Sequence, residues 1–180
     1  MTPAAAVEAA ALEAAAVDGL AAAWPPPFAR GRYWTEMAVG SAFSTASRTV
    51  TEVDLMRFVA LGFTEPLFTD AAGAEAAGYR GRLVPGALTF ALAEGLLMQT
   101  NVIHGTGLAF LGTTMTVLAP VLVGDTICVS WEVTQARAAA AGNRGIVTTR
   151  NLVRCGGRIV MEYSPTRLIA GPPATEGSQS

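Results

Sequence analysis

One carboxylate stands in the middle of an otherwise apolar segment, and it is the residue of this sequence best suited to acid–base chemistry. Glu94 lies within the run FALAEGLL. Burying an unpaired carboxylate is costly, so a Glu at this position should be either held neutral or paired with a cation. The neutral state suits a general acid or base. Alternatively, Glu94 has no catalytic role: it pairs with an Arg such as Arg150, or its side chain reaches the edge of the helix.

Two further side chains could move protons. Glu65, in GFTEPLFTD, is a second candidate acid or base, or else a solvated surface residue. His104 is the only imidazole and lies in TNVIHGTG, where it is either catalytic or a bystander. The two cysteines, Cys128 and Cys155, make no disulfide framework and have no His partner in the sequence pattern. No His/Cys cluster is present, so no metal site is expected.

The elements that would position these residues begin with a long helix. Residues 86–99 are apolar almost all round, which predicts a helix buried on every side. Upstream, residues 43–50 have the β-branched content of a strand. Thr51 to Asp54 resembles a capping box, and it opens a helix that places Val53, Met56, Phe58, Val59 and Leu61 near one face and stops at Gly62. The stretch 64–70 should be irregular because Pro66 disfavours a helical Glu65.

Strands dominate the second half. Residues 106–118, 146–154 and 158–169 are strand-like, and between them Ile127, Val129, Trp131 and Val133 alternate with polar residues as in a half-buried strand. Turn signals containing Gly separate these runs. A buried helix followed by a series of long strands predicts a single α+β domain.

The segment from Gly62 to Leu97 resembles the signature of the MaoC-like, (R)-specific enoyl-thioester hydratase family. That family carries D-x-N-P-L-H-x-D, then a small-residue helix, then a Gly that opens a long apolar helix. Its frame is present as Pro66, Leu67, Asp70, Gly81 and Gly86, and APVLVGDTI (119–127) is a second marker. The resemblance covers roughly residues 33–169. It implies a hot-dog fold, in which an antiparallel sheet wraps a long buried helix.

The same resemblance implies a ligand and an oxyanion donor. Similar proteins bind an acyl thioester of coenzyme A or a carrier protein and hold its carbonyl on a backbone N–H at the position of Gly86. Their catalytic Asp and His are replaced here by Phe63 and Phe68, which cannot transfer protons. Asp70 matches the family's second Asp, although helix capping is its expected duty. Arg80 and Arg82 could meet phosphates of the carrier arm or be ordinary surface charges.

Composition limits the other function classes. The 180 residues contain 12 Arg, no Lys and 14 acids, giving a net charge of −2 without a basic stripe. This argues against nucleic-acid binding, and the absence of Lys excludes Schiff-base chemistry. We expect an Ala-rich arm and Pro linker over 1–29, the hot-dog domain over 30–170 and a disordered tail over 171–180. The arm carries Glu8, Glu13 and Asp18, so neither a signal peptide nor a membrane span is expected. We therefore expect a cytoplasmic location.

Three functions remain open from the sequence. The first is a divergent dehydratase or hydratase, or else an isomerase or cyclase, that moves a proton next to a thioester or related carbonyl. Glu94 or Glu65 would be its acid or base, and it would need no cofactor beyond the thioester carrier. The second is a non-catalytic subunit paired with an intact hot-dog hydratase. The third is a protein that binds a hydrophobic small molecule between Phe63, Phe68 and Phe90. A homodimer, or a heterodimer with another hot-dog subunit, is expected because charged residues make up only 14% of the chain.

Overall fold

Four long antiparallel strands form the framework of the chain, whose structure is a computed structural model describing residues 30–173. They are β3 (Gly107–Val117), β4 (Thr126–Ala138), β5 (Arg144–Cys155) and β6 (Arg158–Ala170), preceded by the short strands β1 (Ala42–Ser44) and β2 (Arg48–Thr49). The helices are α1 (Glu52–Val59), α2 (Pro66–Thr69), α3 (Ala71–Ala76) and α4 (Gly86–Gln99), and a 3-10 turn spans Trp34–Glu36. The predicted arm over 1–29 and the tail beyond residue 173 lie outside the described residues.

The strands make one sheet in the order β1-β4-β5-β6-β3, with β2 also paired to β4. Every pairing is antiparallel. The predicted alternation in β4 is confirmed: Ile127, Val129, Trp131 and Val133 are buried, and their polar neighbours face the opposite side. The buried side of the sheet packs against α4, and the four long strands lie close to their predicted limits.

Helix α4 begins and ends where the apolar run does, but it is not buried on every side. Leu88, Leu92, Leu96 and Leu97 are buried, whereas Ala87, Ala91 and Met98 are exposed. The prediction of complete burial is wrong because the sheet of this chain covers only part of the helix circumference. An apolar helix surface left uncovered in this way is typical of a contact with another molecule.

The chain between residues 42 and 85 departs from the sequence prediction in its details. The single strand predicted over 43–50 is divided into β1 and β2, which pair with different parts of β4. The Thr51–Asp54 capping box is confirmed, with the Thr51 side chain accepting from the Asp54 amide. Helix α1 ends at Val59, before Gly62, and it buries Leu55 and Val59 while Val53, Met56 and Leu61 stay exposed.

The loop before α4 is more regular than predicted. Pro66 begins the one-turn helix α2, because Pro at the first helical position needs no amide partner. Glu65 itself is extended, as the following Pro requires. Asp70 then caps α3, accepting hydrogen bonds from the amides of Ala72 (3.0 Å) and Gly73 (3.1 Å), as predicted.

Strand β3 is an edge strand with exposed apolar side chains. Phe110, Met115 and Val117 are each close to half exposed, although they point to the side of the sheet on which α4 lies. A long edge strand with unpaired backbone groups and apolar side chains is a ready site for pairing with another strand. The described residues therefore leave both the edge of β3 and its α4-facing side open.

Gly145 in β5 provides a test of the packing at the other end of the sheet. A Cβ on Gly145 would lie 2.2 Å from Cγ of Trp34, so the indole ring packs directly on the glycine. We expect Gly145→Ala to lower the unfolding temperature by several degrees, because the ring must move out of its site.

Gly81→Ala is the matched control for this prediction, since nothing lies within 4 Å of the added methyl group and the backbone there is not left-handed. Thermal unfolding followed by circular dichroism measures both variants. Equal unfolding temperatures for the two would contradict the packing of Trp34 on β5.

Candidate functional site

The N-terminus of α4 opens into a cleft, which we call the proximal cleft. Pro85 precedes the helix and no side chain caps it. The first i to i−4 bond of the helix joins the Thr89 amide to the Pro85 carbonyl at 3.0 Å. Among the described residues no hydrogen bond uses the Gly86 amide, so this donor remains available at the positive end of the helix dipole. The cleft is lined by residues of α4, β3 and β6 and of the segments that flank α4 and β3: Tyr79, Leu83, Val84, Gly86, Thr89, Val117, Leu118, Ala119, Pro120, Val121, Val160 and Met161.

Glycine is needed at position 86 because β3 comes close to the helix there. A Cβ on Gly86 would lie 3.1 Å from Cγ2 of Val117, tighter than an ordinary contact. A side chain at this position would therefore press on Val117, which lines the same cleft. The glycine keeps the helix N-terminus accessible to a ligand atom.

Tyr79 is the one titratable side chain among the described residues that line the proximal cleft. It follows α3, where its amide donates to the Ala74 carbonyl at 3.0 Å, and it is half-buried. Its phenol can both donate and accept a hydrogen bond. Tyr79 is not among the site residues predicted from the sequence.

Glu94 is paired with a cation inside the fold. One carboxylate oxygen accepts a hydrogen bond from the Tyr163 hydroxyl at 2.9 Å, and the other meets Nη2 of Arg167 at 2.5 Å. Only 17% of the Glu94 side chain and 8% of the Arg167 side chain are exposed. Pairing with an Arg, one of the two states predicted for this carboxylate, is thus confirmed. Arg150 as the partner is wrong, because it lies on the opposite face of the sheet and pairs with Glu162 at 2.7 Å.

The surroundings of this pair are unusually polar for a domain core. Tyr163 is buried, and burial together with the negative charge of Glu94 raises the pKa of its phenol, so the hydroxyl stays a donor. Thr149 and Asn151 are also buried in the neighbouring strand, and Asn151 lies opposite Tyr163 in register. The Arg167 guanidinium lies 5.5 Å from the ring centroid of Phe110, within reach of a cation–π interaction.

A second opening, the distal cleft, lies between α4 and the beginning of β3. It is lined by the paired Glu94 and Arg167 together with Met98, Ile103, His104, Gly105, Gly107, Leu108, Ala109 and Phe110. We call the line along which α4 (Gly86–Gln99) faces β3 (Gly107–Val117) the α4–β3 seam. The two clefts lie at its opposite ends. Between them the ring of Phe90 meets that of Phe110 edge-on, with centroids 6.3 Å apart.

The remaining candidate residues are spread over different places. His104 is exposed and lines the distal cleft, and its carbonyl accepts from the Gly31 amide at 2.7 Å. Glu65 is exposed at the start of α2 and does not line either cleft. Asp70 is occupied as the cap of α3. The structure thus brings Glu94 and His104 to one cleft and Gly86 to the other.

The three phenylalanines proposed to line a pocket have different neighbours. The ring of Phe63 is tilted against that of Phe58, with centroids 4.5 Å apart, and Phe63 is 39% exposed. Phe68 packs against the hydrophobic core, and Phe90 contacts Phe110 and Tyr163. Of the three, Phe90 is the one that lies on the α4–β3 seam.

Within residues 30–173, no group of three or more His, Cys, Asp or Glu side chains is arranged to hold a metal ion. None of the helices in that part of the chain is long and apolar enough to cross a membrane. Arg82, one of the two arginines suggested for phosphate contacts, forms an ion pair with Glu52, and Arg80 is exposed.

The comparison that decides the family is with the model of the FAS1-like dehydratase domain region, which matches residues 37–163. The chain belongs to this family. The match covers α4, the proximal cleft, the distal cleft except Arg167, and the strands up to Tyr163. No curated protein matches the sequence at a significant level.

Solved structures confirm that this FAS1-like dehydratase-region protein is a MaoC-like hot-dog protein. A MaoC-like dehydratase from Rhodospirillum rubrum superposes with a TM-score of 0.73 at 22% identity, over 79% of this chain and 99% of that one. The (R)-hydratase PhaJ1 from Pseudomonas aeruginosa gives 0.62 at 27% identity, over 77% and 85%. The HadBC (3R-hydroxyacyl-ACP dehydratase) complex from Mycobacterium tuberculosis gives 0.63 at 22%, over 72% and 96%. The predicted α+β hot-dog fold, with a sheet around a long helix, is confirmed.

The buried pair provides a test of how α4 is held. Removing one partner of a buried ion pair leaves the other charge uncompensated and typically costs about 3–5 kcal/mol. We therefore expect Glu94→Leu to reduce the free energy of unfolding by about 3 kcal/mol or more. Urea unfolding measures the change.

The double variant Glu94→Leu/Arg167→Met is the matched control, because it removes both charges and keeps similar side-chain volumes. Its stability should return to within about 1 kcal/mol of the wild type. If the double variant is as unstable as Glu94→Leu, the loss does not come from an unpaired Arg167.

Proposed function

We propose that this chain binds an acyl thioester along the α4–β3 seam and takes part in hydration or dehydration of the acyl group next to the carbonyl. The observation that carries the proposal is the open N-terminus of α4: a free Gly86 amide, no capping side chain and a cleft in front of it. A donor at a helix N-terminus stabilises the negative charge that develops on a carbonyl oxygen when a neighbouring proton is removed.

Membership of a dehydratase family supports the same reaction class. PhaJ1, at 27% identity, is an (R)-hydratase, and HadBC is a dehydratase of 3R-hydroxyacyl groups on acyl carrier protein. The apolar lining of the proximal cleft suits an acyl group, and coenzyme A or a carrier protein would deliver it. No further cofactor is required by the proposal.

The residue that transfers the proton must lie close to a carbonyl held at Gly86. Glu94 lies eight residues after Gly86, about 12 Å along the helix axis, which is too far to reach the carbon next to a carbonyl held at Gly86. Glu65 lines neither cleft. Tyr79 lines the proximal cleft itself, so within the described part of this chain it is the side chain best placed to exchange a proton there.

The alternative is that a second hot-dog chain supplies the acid and the base. The observation that favours it is the exposed apolar edge of β3, together with Phe63 and Phe68 at the sequence positions of the expected Asp and His. HadBC is a complex, which supports association of this kind. In this case the chain contributes the thioester carbonyl site, as a homodimer with shared sites or as the non-catalytic half of a heterodimer.

Gly86→Ala tests the thioester site. The added methyl group would press on Val117 inside the proximal cleft, so we expect binding of a saturated acyl-CoA to weaken by about tenfold or more. Isothermal titration calorimetry with butyryl-CoA measures it.

Gly95→Ala, in the same helix with nothing within 4 Å of the new methyl group, is the control and should bind as the wild type does. Unchanged binding by a folded Gly86→Ala variant would remove the amide from the ligand site.

Tyr79→Phe separates the two sources of the proton. If the purified chain hydrates crotonyl-CoA or a longer trans-2-enoyl-CoA alone, loss of the phenol should lower turnover by about 10²–10⁴-fold, since that is the usual contribution of a general acid or base. Loss of the enoyl absorbance measures the rate, and Glu65→Gln serves as a parallel variant.

Full activity of Tyr79→Phe with loss in Glu65→Gln would assign the role to Glu65. A folded wild-type chain without activity would leave the partner-supplied mechanism, and a stoichiometric hot-dog partner should then co-purify from the native host. A monomer, inactive and alone, would contradict both forms of the proposal.

A further inference from the structure

The distal cleft places a neutral ion pair where the far end of an acyl chain would arrive. Three polar side chains line it: Glu94 and Arg167, which are paired with each other, and the exposed His104. Glu94 also accepts a hydrogen bond from Tyr163. The rest of the lining is largely apolar. Polar groups that face an otherwise apolar cleft are the ones that select among ligands.

Both members of the pair retain hydrogen-bonding capacity. A carboxylate offers about four acceptor sites on its two oxygens, and Tyr163 and Arg167 use one each. A guanidinium carries five N–H donors, of which the contact with Glu94 uses one, on Nη2. Both side chains are mostly buried, but both line the distal cleft, so their unused acceptor and donor sites lie beside it.

The charges of the pair select for a neutral ligand group. A ligand carboxylate would meet the negative charge of Glu94, and a ligand ammonium would meet the positive charge of Arg167. A hydroxyl group, in contrast, can donate to the carboxylate and accept from the guanidinium at once. A plain methyl terminus would leave these groups facing an apolar atom, which is unfavourable when water is excluded.

The position of the pair sets the place of that hydroxyl on the ligand. Gly86 and Glu94 lie about 12 Å apart along the helix axis, and Gly86, Phe90 and Glu94 follow one another at i+4 spacing on one face. An extended alkyl chain advances about 1.25 Å per carbon from standard bond lengths and angles. A carbonyl at Gly86 therefore brings roughly the tenth carbon to the pair, after the chain has passed Phe90 and Phe110.

We propose that the Glu94–Arg167 pair is a specificity site for a hydroxyl group near the far end of a medium-length acyl chain. This inference rests on the proposed thioester site at Gly86 and adds the substrate class. Glu94 and Arg167 are specificity residues here and take no part in the proton transfer.

Three saturated thioesters test the inference without turnover: decanoyl-CoA, 10-hydroxydecanoyl-CoA and 5-hydroxydecanoyl-CoA. We expect 10-hydroxydecanoyl-CoA to bind about tenfold more tightly than decanoyl-CoA, the gain of a hydrogen bond to charged groups. The 5-hydroxy isomer should bind more weakly than decanoyl-CoA, because its hydroxyl would lie against Phe90 and Phe110. Isothermal titration calorimetry on the full chain measures all three dissociation constants.

The double variant Glu94→Leu/Arg167→Met shows whether the pair is responsible. For this variant, the dissociation constant of decanoyl-CoA divided by that of 10-hydroxydecanoyl-CoA should fall from about ten to one or below. Circular dichroism checks that the variant is folded. A retained preference in the double variant would overturn the assignment of these two residues. So would a loss of the preference in Arg150→Met, the control for a cation outside the cleft.

The outcomes separate this inference from the proposed function. Equal affinity of the wild type for decanoyl-CoA and 10-hydroxydecanoyl-CoA would overturn the inference and leave the thioester site intact. Failure of the wild type to bind any of the three would overturn the proposed function, and the inference with it.

Discussion

A carboxylate in the middle of α4 has to be neutralised inside the fold, and the pairing of Glu94 with Arg167 meets this constraint. The pair ties the helix to β6, and the Tyr163 hydroxyl adds a second tie from the same strand. These contacts fix the rotation of α4 about its axis. With Glu94 turned toward β6, Phe90 and Gly86 follow on the same side of the helix and lie along β3.

The orientation of α4 accounts for the open surface of the chain. Because the helix packs mainly against β4, β5 and β6, strand β3 extends beyond its cover with Phe110, Met115 and Val117 exposed. Within residues 30–173, the α4–β3 seam is thus bounded on one side only. A ligand or a second chain that covers the seam would bury the apolar surface that this chain leaves exposed, and that burial would favour its binding.

The fold was predictable from the sequence because its signals are local and periodic. The alternation in β4 and the length of the apolar run in α4 do not depend on any distant residue. The partner of Glu94 was not predictable in this way: Arg167 is 73 residues away in sequence, and many Arg side chains could have reached it. One signal was present, since Arg167 falls at an inward position in the alternation of β6. Tyr79 was missed because its place in the proximal cleft depends on the path of the loop after α3.

The most direct test of the account is to locate a bound thioester by backbone amide NMR on the labelled chain, with decanoyl-CoA as the ligand. If the thioester binds at the N-terminus of α4, large chemical-shift changes are expected at the Gly86 amide and along the α4–β3 seam, at residues such as Phe90, Phe110 and Val117. Changes confined to the opposite face of the sheet, around Arg150 and Glu162, would contradict it, because the open N-terminus of α4 would then not be the ligand site.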